Sequence, residues 1–194
     1  ISINWIKENY NMDVIAALVD CGQPDNLGEA YQRALGAGAY EAVLIDGKDD
    51  FINDFIYPSI KANIKYEKTY PLATALARPL IVKKLVEVAR SKKAKAVAHG
   101  CTGKGNDQVR FDVGIRSLAP ELQIIAPQRE WNLSREDAIE YARKNNIKIA
   151  ATKKSPYSID ENFWGRSIEC GALEDPWDEP PEDIYKWTKI KKDP

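Results

Sequence analysis

The chain of 194 residues is long enough to form one domain with a hydrophobic core. Its net charge of -1, with basic residues scattered along the sequence, argues against nucleic acid as the main partner, which would require a basic face. No apolar run reaches the roughly 18 residues of a membrane span. The three cysteines form no CxxC pair, which favours a reducing, cytosolic setting over disulfides.

Short apolar runs that are typical of buried strands alternate with amphipathic stretches that are typical of helices. In chain order the sequence predicts helix 1–9, strand 14–19, helix 27–37, strand 42–45, helix 49–63, helix 76–89, strand 94–98, helix 106–118, strand 124–126 and helix 134–145. This alternation predicts an α/β fold with an open, mostly parallel sheet and helices on both faces. We assign this domain to residues 1–150, and we expect 151–194 to be an ordered, loop-rich segment with little regular structure.

Open sheets of this class bind ligands beyond the carboxyl ends of their strands. Residues 20–23 and 99–106 both follow predicted strands, so we expect both segments at that edge. The second segment belongs to 98–110, which reads Ala-His-Gly-Cys-Thr-Gly-Lys-Gly-Asn-Asp-Gln-Val-Arg. Its glycines and the following helix start would direct backbone N–H groups at an anion such as phosphate or carboxylate.

This turn departs from a Walker A loop, because Gly105 stands where the magnesium-binding hydroxyl residue would be. From glycine spacing alone, a tight strand-to-helix turn without a ligand is an equally good interpretation. The turn also carries side chains that could select a ligand, namely Thr102, Asn106, Asp107 and Arg110.

Several blocks in register together resemble the argininosuccinate synthase family. Segment 99–111 reads His-Gly-Cys-Thr-Gly-Lys-Gly-Asn-Asp-Gln-Val-Arg-Phe, and 70–79 reads Tyr-Pro-Leu-Ala-Thr-Ala-Leu-Ala-Arg-Pro. Segments 125–131 (Ile-Ala-Pro-Gln-Arg-Glu-Trp), 154–160 (Lys-Ser-Pro-Tyr-Ser-Ile-Asp) and 173–177 (Leu-Glu-Asp-Pro-Trp) follow in the family's order. The resemblance covers nearly the whole chain and implies a Rossmann-like fold of the adenine nucleotide alpha hydrolase or ATP pyrophosphatase type.

The resemblance implies an ATP-dependent ligase that joins citrulline to aspartate, with Mg²⁺ as the accompanying metal. The citrulline ureido oxygen would attack the α-phosphorus of ATP and release pyrophosphate, and the aspartate amine would then displace AMP. Such chemistry depends on alignment and charge stabilisation rather than on a covalent enzyme intermediate, so we assign no catalytic residue. A cytoplasmic homotetramer is implied for the full-length protein.

Site residues are carried over by motif from the family. ATP contacts are expected from Val19, Gln23 and Gly100. Aspartate contacts are expected from Thr102, Asn106 and Asp107. Citrulline contacts are expected from Tyr70, Asn106, Arg110, Ser158 and Ser167. Ala75 occupies a place where some members have serine.

Each of these side chains also has a purely structural interpretation. Tyr70 could be a packed aromatic, Ser158 a turn hydroxyl and Ser167 a cap. Arg110 could form a helix salt bridge with Asp107 or Asp112.

His99 and Cys101 lie at i and i+2, which would place them on one face of a strand as a nucleophile pair. We expect no third residue to orient the histidine, and we favour an imidazole packed beside a small buried thiol.

By the resemblance, we expect the family's Ser-Gly-Gly-x-Asp-Thr-Ser ATP motif just before Ile1 and the start of its second, synthetase domain near Pro194. We therefore expect the sequence to be a fragment or the ordered part of a longer chain. Two other interpretations compete with the ligase. One is a non-catalytic amino-acid-binding module or degenerate fragment. The other is a tRNA-thiolating ATP pyrophosphatase, which would require paired cysteines and a basic RNA face.

Overall fold

A computed structural model describes residues 1–131, 135–147 and 157–189 of the chain. The helices are α1 (Ser2–Tyr10), α2 (Leu27–Gly36), α3 (Lys48–Asp50), a π-helical turn (Phe51–Ile56), α4 (Tyr57–Lys61), α5 (Ala73–Ser91), α6 (Asn106–Leu118), α7 (Pro127–Glu130) and α8 (Arg135–Lys144). The strands are β1 (Ile15–Asp20), β2 (Glu41–Asp46), β3 (Ala96–Ala98), β4 (Gln123–Ile125), β5 (Ser158–Asn162) and β6 (Gly165–Glu169). Two 3₁₀ turns follow, Gly171–Glu174 and Glu182–Ile184.

The alternation of strands and helices is confirmed up to α8, and most boundaries move by only one to three residues. Helix 106–118 begins and ends where the sequence predicts. Helix α5 begins three residues earlier than predicted, at Ala73, which extends the buried face by one turn before Ala77. The predicted helix 49–63 is continuous in position but contains the π-helical turn. Residue 134, the predicted start of the last helix, lies outside the described residues.

Two parallel strand pairs bring the carboxyl ends of their strands to one edge. Strand β1 pairs with β2, with Ile15 opposite Glu41, and β3 pairs with β4, with Ala98 opposite Ile125. Since both pairs are parallel, the segments after β1 and β3 emerge at the end where ligands of such folds bind.

Helix α5 organises the core because it contributes to both buried clusters. Leu80 packs with Phe51 behind β1, while Val82 packs with Phe111 and Ile115. The residue that allows α6 to approach so closely is Gly114, where an added Cβ would lie 2.9 Å from Cγ1 of Val82. Helix α5 therefore sets the position of the turn that leads into α6 relative to β1.

An apolar cavity of about 540 Å³ separates the two parallel pairs. Its walls include Ala16 of β1, Val97 of β3, Ile6 of α1 and Leu85 of α5. Within the described ranges, no strand bridges the facing edges of β1 and β3. No helix in the same ranges is long and apolar enough to cross a membrane.

The expectation of little regular structure after residue 150 is wrong for 158–169. Strands β5 and β6 form an antiparallel hairpin in which Ser158 pairs with Glu169. Strand β5 reads Ser-Ile-Asp-Glu-Asn, which has too little apolar alternation to predict a strand. A contact with α5 stabilises the hairpin instead: Nδ2 of the buried Asn162 donates to the carbonyl of Ala73 at 3.0 Å.

Candidate active site

A cavity of about 1260 Å³ lies beyond the carboxyl ends of β1 and β3. Nine of the ten residues predicted to bind substrates line it. They are Val19, Tyr70, Gly100, Thr102, Asn106, Asp107, Arg110, Ser158 and Ser167. The prediction that the segment after β3 lies at the ligand-binding edge is therefore confirmed, while the individual binding roles stay predictions.

The tenth residue, Gln23, is not among the residues that line the cavity. Its Nε2 donates to the carbonyl of Val19 at 2.9 Å, and its Oε1 accepts from the backbone N–H of Cys21 at 2.7 Å. Gln23 therefore closes the turn after β1. The ATP contact of Gln23 stays a prediction beside this scaffolding contact.

The glycine turn has the backbone conformation that an anion seat requires. Gly105 has φ 88° and stands immediately before α6, a conformation that L side chains rarely adopt. An added Cβ at Gly100 or Gly105 would meet no atom within 4 Å, so the space in front of the turn is open. The hydroxyl of Thr102 donates to the carbonyl of Lys104 at 2.9 Å. The open turn and the first N–H groups of α6 together suit a carboxylate or phosphate.

Asp107 lies between two guanidinium groups. Its Oδ1 accepts from Nη1 of Arg110 at 2.8 Å, and its Oδ2 accepts from Nε of Arg78 at 2.9 Å. Burial raises the pKa of the Asp107 carboxyl, but the hydrogen bonds and charges of Arg78 and Arg110 outweigh it, so this pKa lies below its ordinary value. The helix salt bridge considered for Arg110 is thus present, and it coexists with a place in the cavity wall.

Sequence reasoning missed Arg78 and Asp160, which line the same cavity. Nη2 of Arg78 lies 2.8 Å from Oδ2 of Asp107 and 3.3 Å from Oδ1 of Asp160. Both residues stand inside quoted family blocks, 70–79 and 154–160. The available signal was an arginine directly after the buried Ala77 on α5.

The hairpin supplies the other wall of the cavity. Tyr70 Oη and Ser167 Oγ lie 3.3 Å apart, a hydrogen bond in which either can donate. Ser158 and Ser167 stand in β5 and β6, so neither the turn-hydroxyl nor the cap interpretation applies. Residues 154–156 of the family block that contains Ser158 lie outside the described residues.

The expectation that nothing orients His99 is wrong. Its Nε2 lies 2.9 Å from Oδ1 of Asp112, which itself accepts from Nη1 of Arg129 through Oδ2 at 2.9 Å. The imidazole is buried against the ring of Phe111, as the packing interpretation predicts. Burial raises the pKa of the Cys101 thiol, which disfavours the thiolate that a nucleophile would need.

The described residues contain no group of three or more His, Cys, Asp or Glu side chains that could hold a metal ion. The donor set around the cavity is suited to hydrogen bonding and ion pairing rather than to a protein-only metal cage.

Two models of one protein family match the chain. Residues 1–148 match the family model described as the arginosuccinate synthase N-terminal HUP domain, and residues 157–194 match the arginosuccinate synthase C-terminal domain. Part of the second domain, expected to begin near Pro194, thus lies within this chain. The chain belongs to the argininosuccinate synthase family. This confirms the resemblance and the Rossmann-like α/β fold class predicted from the sequence.

Curated argininosuccinate synthases are similar along almost the entire chain. The Dictyoglomus thermophilum protein is 59% identical over 191 residues, which cover 98% of this chain and 48% of that protein. The Dehalococcoides mccartyi protein is 54% identical over 188 residues, covering 97% of this chain and 46% of its own length. The Brevibacillus brevis protein is 52% identical over 189 residues, covering 97% and 45%. The chain therefore spans about half the length of the curated relatives it matches.

Proposed function

We propose that the protein containing this chain is a ligase that joins citrulline and aspartate to form argininosuccinate, using ATP. The observation that carries the proposal is the cavity beyond the carboxyl ends of β1 and β3, which is lined by nine of the ten residues carried over from the family resemblance. The cavity wall combines the open glycine turn, the carboxylate of Asp107 between two arginines, and the hydroxyls of Tyr70, Ser158 and Ser167. This is a surface suited to amino acids that carry both charges.

The proposed reaction has two steps. The ureido oxygen of citrulline attacks the α-phosphorus of ATP, the bond to pyrophosphate breaks, and a citrullyl adenylate forms. The aspartate amine then bonds to the ureido carbon, loses a proton, and AMP leaves. Because AMP is a far better leaving group than the ureido oxygen alone, the protein's contribution is to align the reactants and hold their charges.

The residues that we expect to bind aspartate and those that we expect to bind citrulline lie on different walls of the cavity. Asp107 is suited to pair with the ammonium of aspartate, and Thr102 with the first N–H groups of α6 to hold a carboxylate. Tyr70, Ser158 and Ser167 face the same cavity from the other side and offer hydroxyls to citrulline. Gly100 leaves open space in the turn after β3, which suits the approach of a nucleotide.

Magnesium, a cytoplasmic location and a homotetrameric state complete the proposal. Mg²⁺ would neutralise charge on the ATP phosphates, which usually supply much of its coordination, and the described residues offer no protein-only cage for it. The cysteines Cys21, Cys101 and Cys170 are free, in keeping with a reducing compartment. The tetramer rests on the family resemblance.

The activity is best tested in a hybrid in which this chain replaces the matching 191-residue region of the Dictyoglomus thermophilum relative. We expect the hybrid to release AMP and pyrophosphate in equal amounts only when citrulline, aspartate and ATP are all present. A folded hybrid that releases neither product would overturn the ligase proposal. If that hybrid still bound both amino acids, the non-catalytic module would be the better interpretation.

A further inference from the structure

The tip of the β5–β6 hairpin is attached to two segments that carry predicted substrate contacts. The backbone N–H of Phe163 donates to the carbonyl of Cys21 at 3.1 Å, in the turn that follows β1. Nε1 of the next residue, Trp164, donates to the carbonyl of Pro71 at 2.6 Å, directly after Tyr70. The hairpin tip therefore joins the segment of the predicted ATP contacts to a segment of the predicted citrulline contacts.

The ring of Phe163 lies closer to Gly22 than any other residue at that position would allow. A Cβ added to Gly22 would overlap three atoms of the Phe163 ring, the farthest of them at 2.5 Å. Gly22 also has φ 83°, a conformation that L side chains rarely adopt. Two separate features thus require glycine in the turn after β1, and one of them is an aromatic ring from the hairpin.

The turn after β1 is held by a network of its own. The N–H of Gly22 donates to Oδ1 of Asp20 at 2.8 Å, and Nζ of Lys48 donates to Oδ2 of the same carboxylate at 2.7 Å. Because these bonds link Gly22 to the end of β1, a shift at Gly22 would be transmitted to the backbone near Val19. The position of Phe163 therefore bears on the place where we expect ATP to bind.

Phe163 makes this contact without belonging to the core or to the cavity wall. The residue is 48% exposed, and it is in neither of the two buried clusters that are built around α5. It is also not among the residues that line the cavity. Its removal should therefore cost little stability and should remove no group that contacts a substrate.

We propose that Phe163 is a positioning residue for adenylate formation, whose ring on Gly22 sets the spacing between ATP at the β1 turn and citrulline at the hairpin. The inference rests on the proposed function, because it concerns the first step of that reaction. Attack of the ureido oxygen on the α-phosphorus requires the two atoms to be close and aligned. A misplacement of about 1 Å can lower such a rate by on the order of a hundredfold.

The test measures pyrophosphate–ATP exchange with citrulline in the hybrid that carries Phe163→Ala. Exchange at saturating ATP and citrulline should fall by about thirtyfold, because both reactants bind but are misaligned. The KM values for ATP and citrulline should each stay within about threefold, since no binding group is lost. Phe163→Leu keeps an apolar side chain over Gly22 and should lower the saturated rate by less than about fivefold.

A second set of variants tests whether the ring acts through Gly22. Gly22→Ala places a methyl group into the ring and should lower saturated exchange by on the order of a hundredfold. In the Phe163→Ala background the same substitution should lower it by no more than about fivefold further, because the overlap is gone and only the strain at φ 83° remains.

The matched control is Ile159→Ala, which removes an apolar side chain of similar exposure, 47%, from the same hairpin. It should leave saturated exchange within about twofold. Thermal melting of each variant shows whether the hybrid remains folded, and Phe163→Leu supplies the measurement if Phe163→Ala does not.

Saturated exchange that is unchanged in a folded Phe163→Ala hybrid would overturn the positioning role and leave the ligase proposal standing. A higher KM for ATP or citrulline with an unchanged saturated rate would also overturn it, because Phe163 would then contribute to binding. Equal losses from Gly22→Ala in both backgrounds, or from Ile159→Ala and Phe163→Ala, would exclude the ring on Gly22 as the cause. A folded parent hybrid without AMP release is a different failure, which removes the proposed function itself.

Discussion

The glycine turn before α6 and the β5–β6 hairpin line the same cavity, but they reach it by different routes. The turn is a local structure: Gly105 supplies the positive φ and α6 starts at the next residue. The hairpin is placed by contacts distant in sequence, such as Nε1 of Trp164 to the carbonyl of Pro71 at 2.6 Å. The glycine turn can therefore be predicted from a short motif, whereas the position of the hairpin depends on buried polar contacts with the start of α5.

The largest effect is expected on the turn side, from Asp107→Asn in the hybrid. Loss of the anionic partner should raise the KM for aspartate by on the order of a hundredfold or more, since a charged hydrogen-bonded pair is removed. Pyrophosphate exchange with citrulline should fall by much less. The matched control is Asp54→Asn, which removes an exposed partner of Lys83 and should change neither value. Collapse of exchange with the aspartate KM intact would contradict the assignment.

On the hairpin side, the sharpest change is Asn162→Ala. The Asn162 side chain donates to the carbonyl of Ala73 and accepts from the N–H of Trp164 at 2.8 Å, so its loss leaves buried backbone groups unpaired. We expect the free energy of unfolding, from urea titration, to fall by about 2–3 kcal/mol. The KM for citrulline should rise more than the KM for aspartate. The control is Asn53→Ala, at an exposed asparagine with one local hydrogen bond, which should lower the free energy of unfolding by less than about 0.5 kcal/mol. Equal losses of stability for Asn162→Ala and Asn53→Ala would contradict the long-range anchoring of the hairpin.

Lowering the pH should weaken the stabilising contacts of Asp112 on α6 more than those of Asn162 in the hairpin. Burial raises the pKa of Asp112, but hydrogen bonds from Arg129 and His99 outweigh it and the pKa is lowered. A lowered pKa stabilises the fold above the unfolded-state value near 3.9, and this contribution is lost as pH falls through the still lower folded-state pKa. We expect Asp112→Asn to cost about 2 kcal/mol at pH 7.

The measurement for Asp112 is urea unfolding at pH 7, 5, 4 and 3. The difference between wild type and Asp112→Asn should be constant from pH 7 to 5 and shrink below about pH 4. The deficit of Asn162→Ala should not change over the same range, because neither Asn162 nor the groups it contacts titrate there. A deficit for Asp112→Asn that grows as pH falls would contradict the lowered pKa.

The sequence predicts the fold well where apolar periodicity follows one element at a time. Strands β1 and β2 and helix α6 lie where period and glycine placement predict them. The hairpin was missed because its strands contain too few alternating apolar residues, and its stability comes from Asn162 and from Gly165, whose added Cβ would lie 3.0 Å from Cβ of Ala73. Such contacts leave no periodic signal.

The same reasoning applies within the site. Asp107 and Arg110 are one turn of helix apart, so spacing predicts their contact. Arg78 meets Asp107 only because α5 packs on α6 through Gly114 and Val82. Trp177 closes the family block 173–177 and is 92% exposed, so a large apolar ring does not by itself predict burial. The sequence therefore predicts the contact of a charged side chain when its partner is close in sequence, and not when the partner is brought near by packing.

The most direct test of the central claim is a crystal structure of the hybrid grown with citrulline and aspartate. The account predicts both amino acids in the cavity between the glycine turn and the hairpin, with aspartate contacting Asp107 and citrulline contacting Tyr70 or Ser167. Amino acids bound elsewhere, with the Arg110–Asp107–Arg78 contacts unchanged, would contradict it.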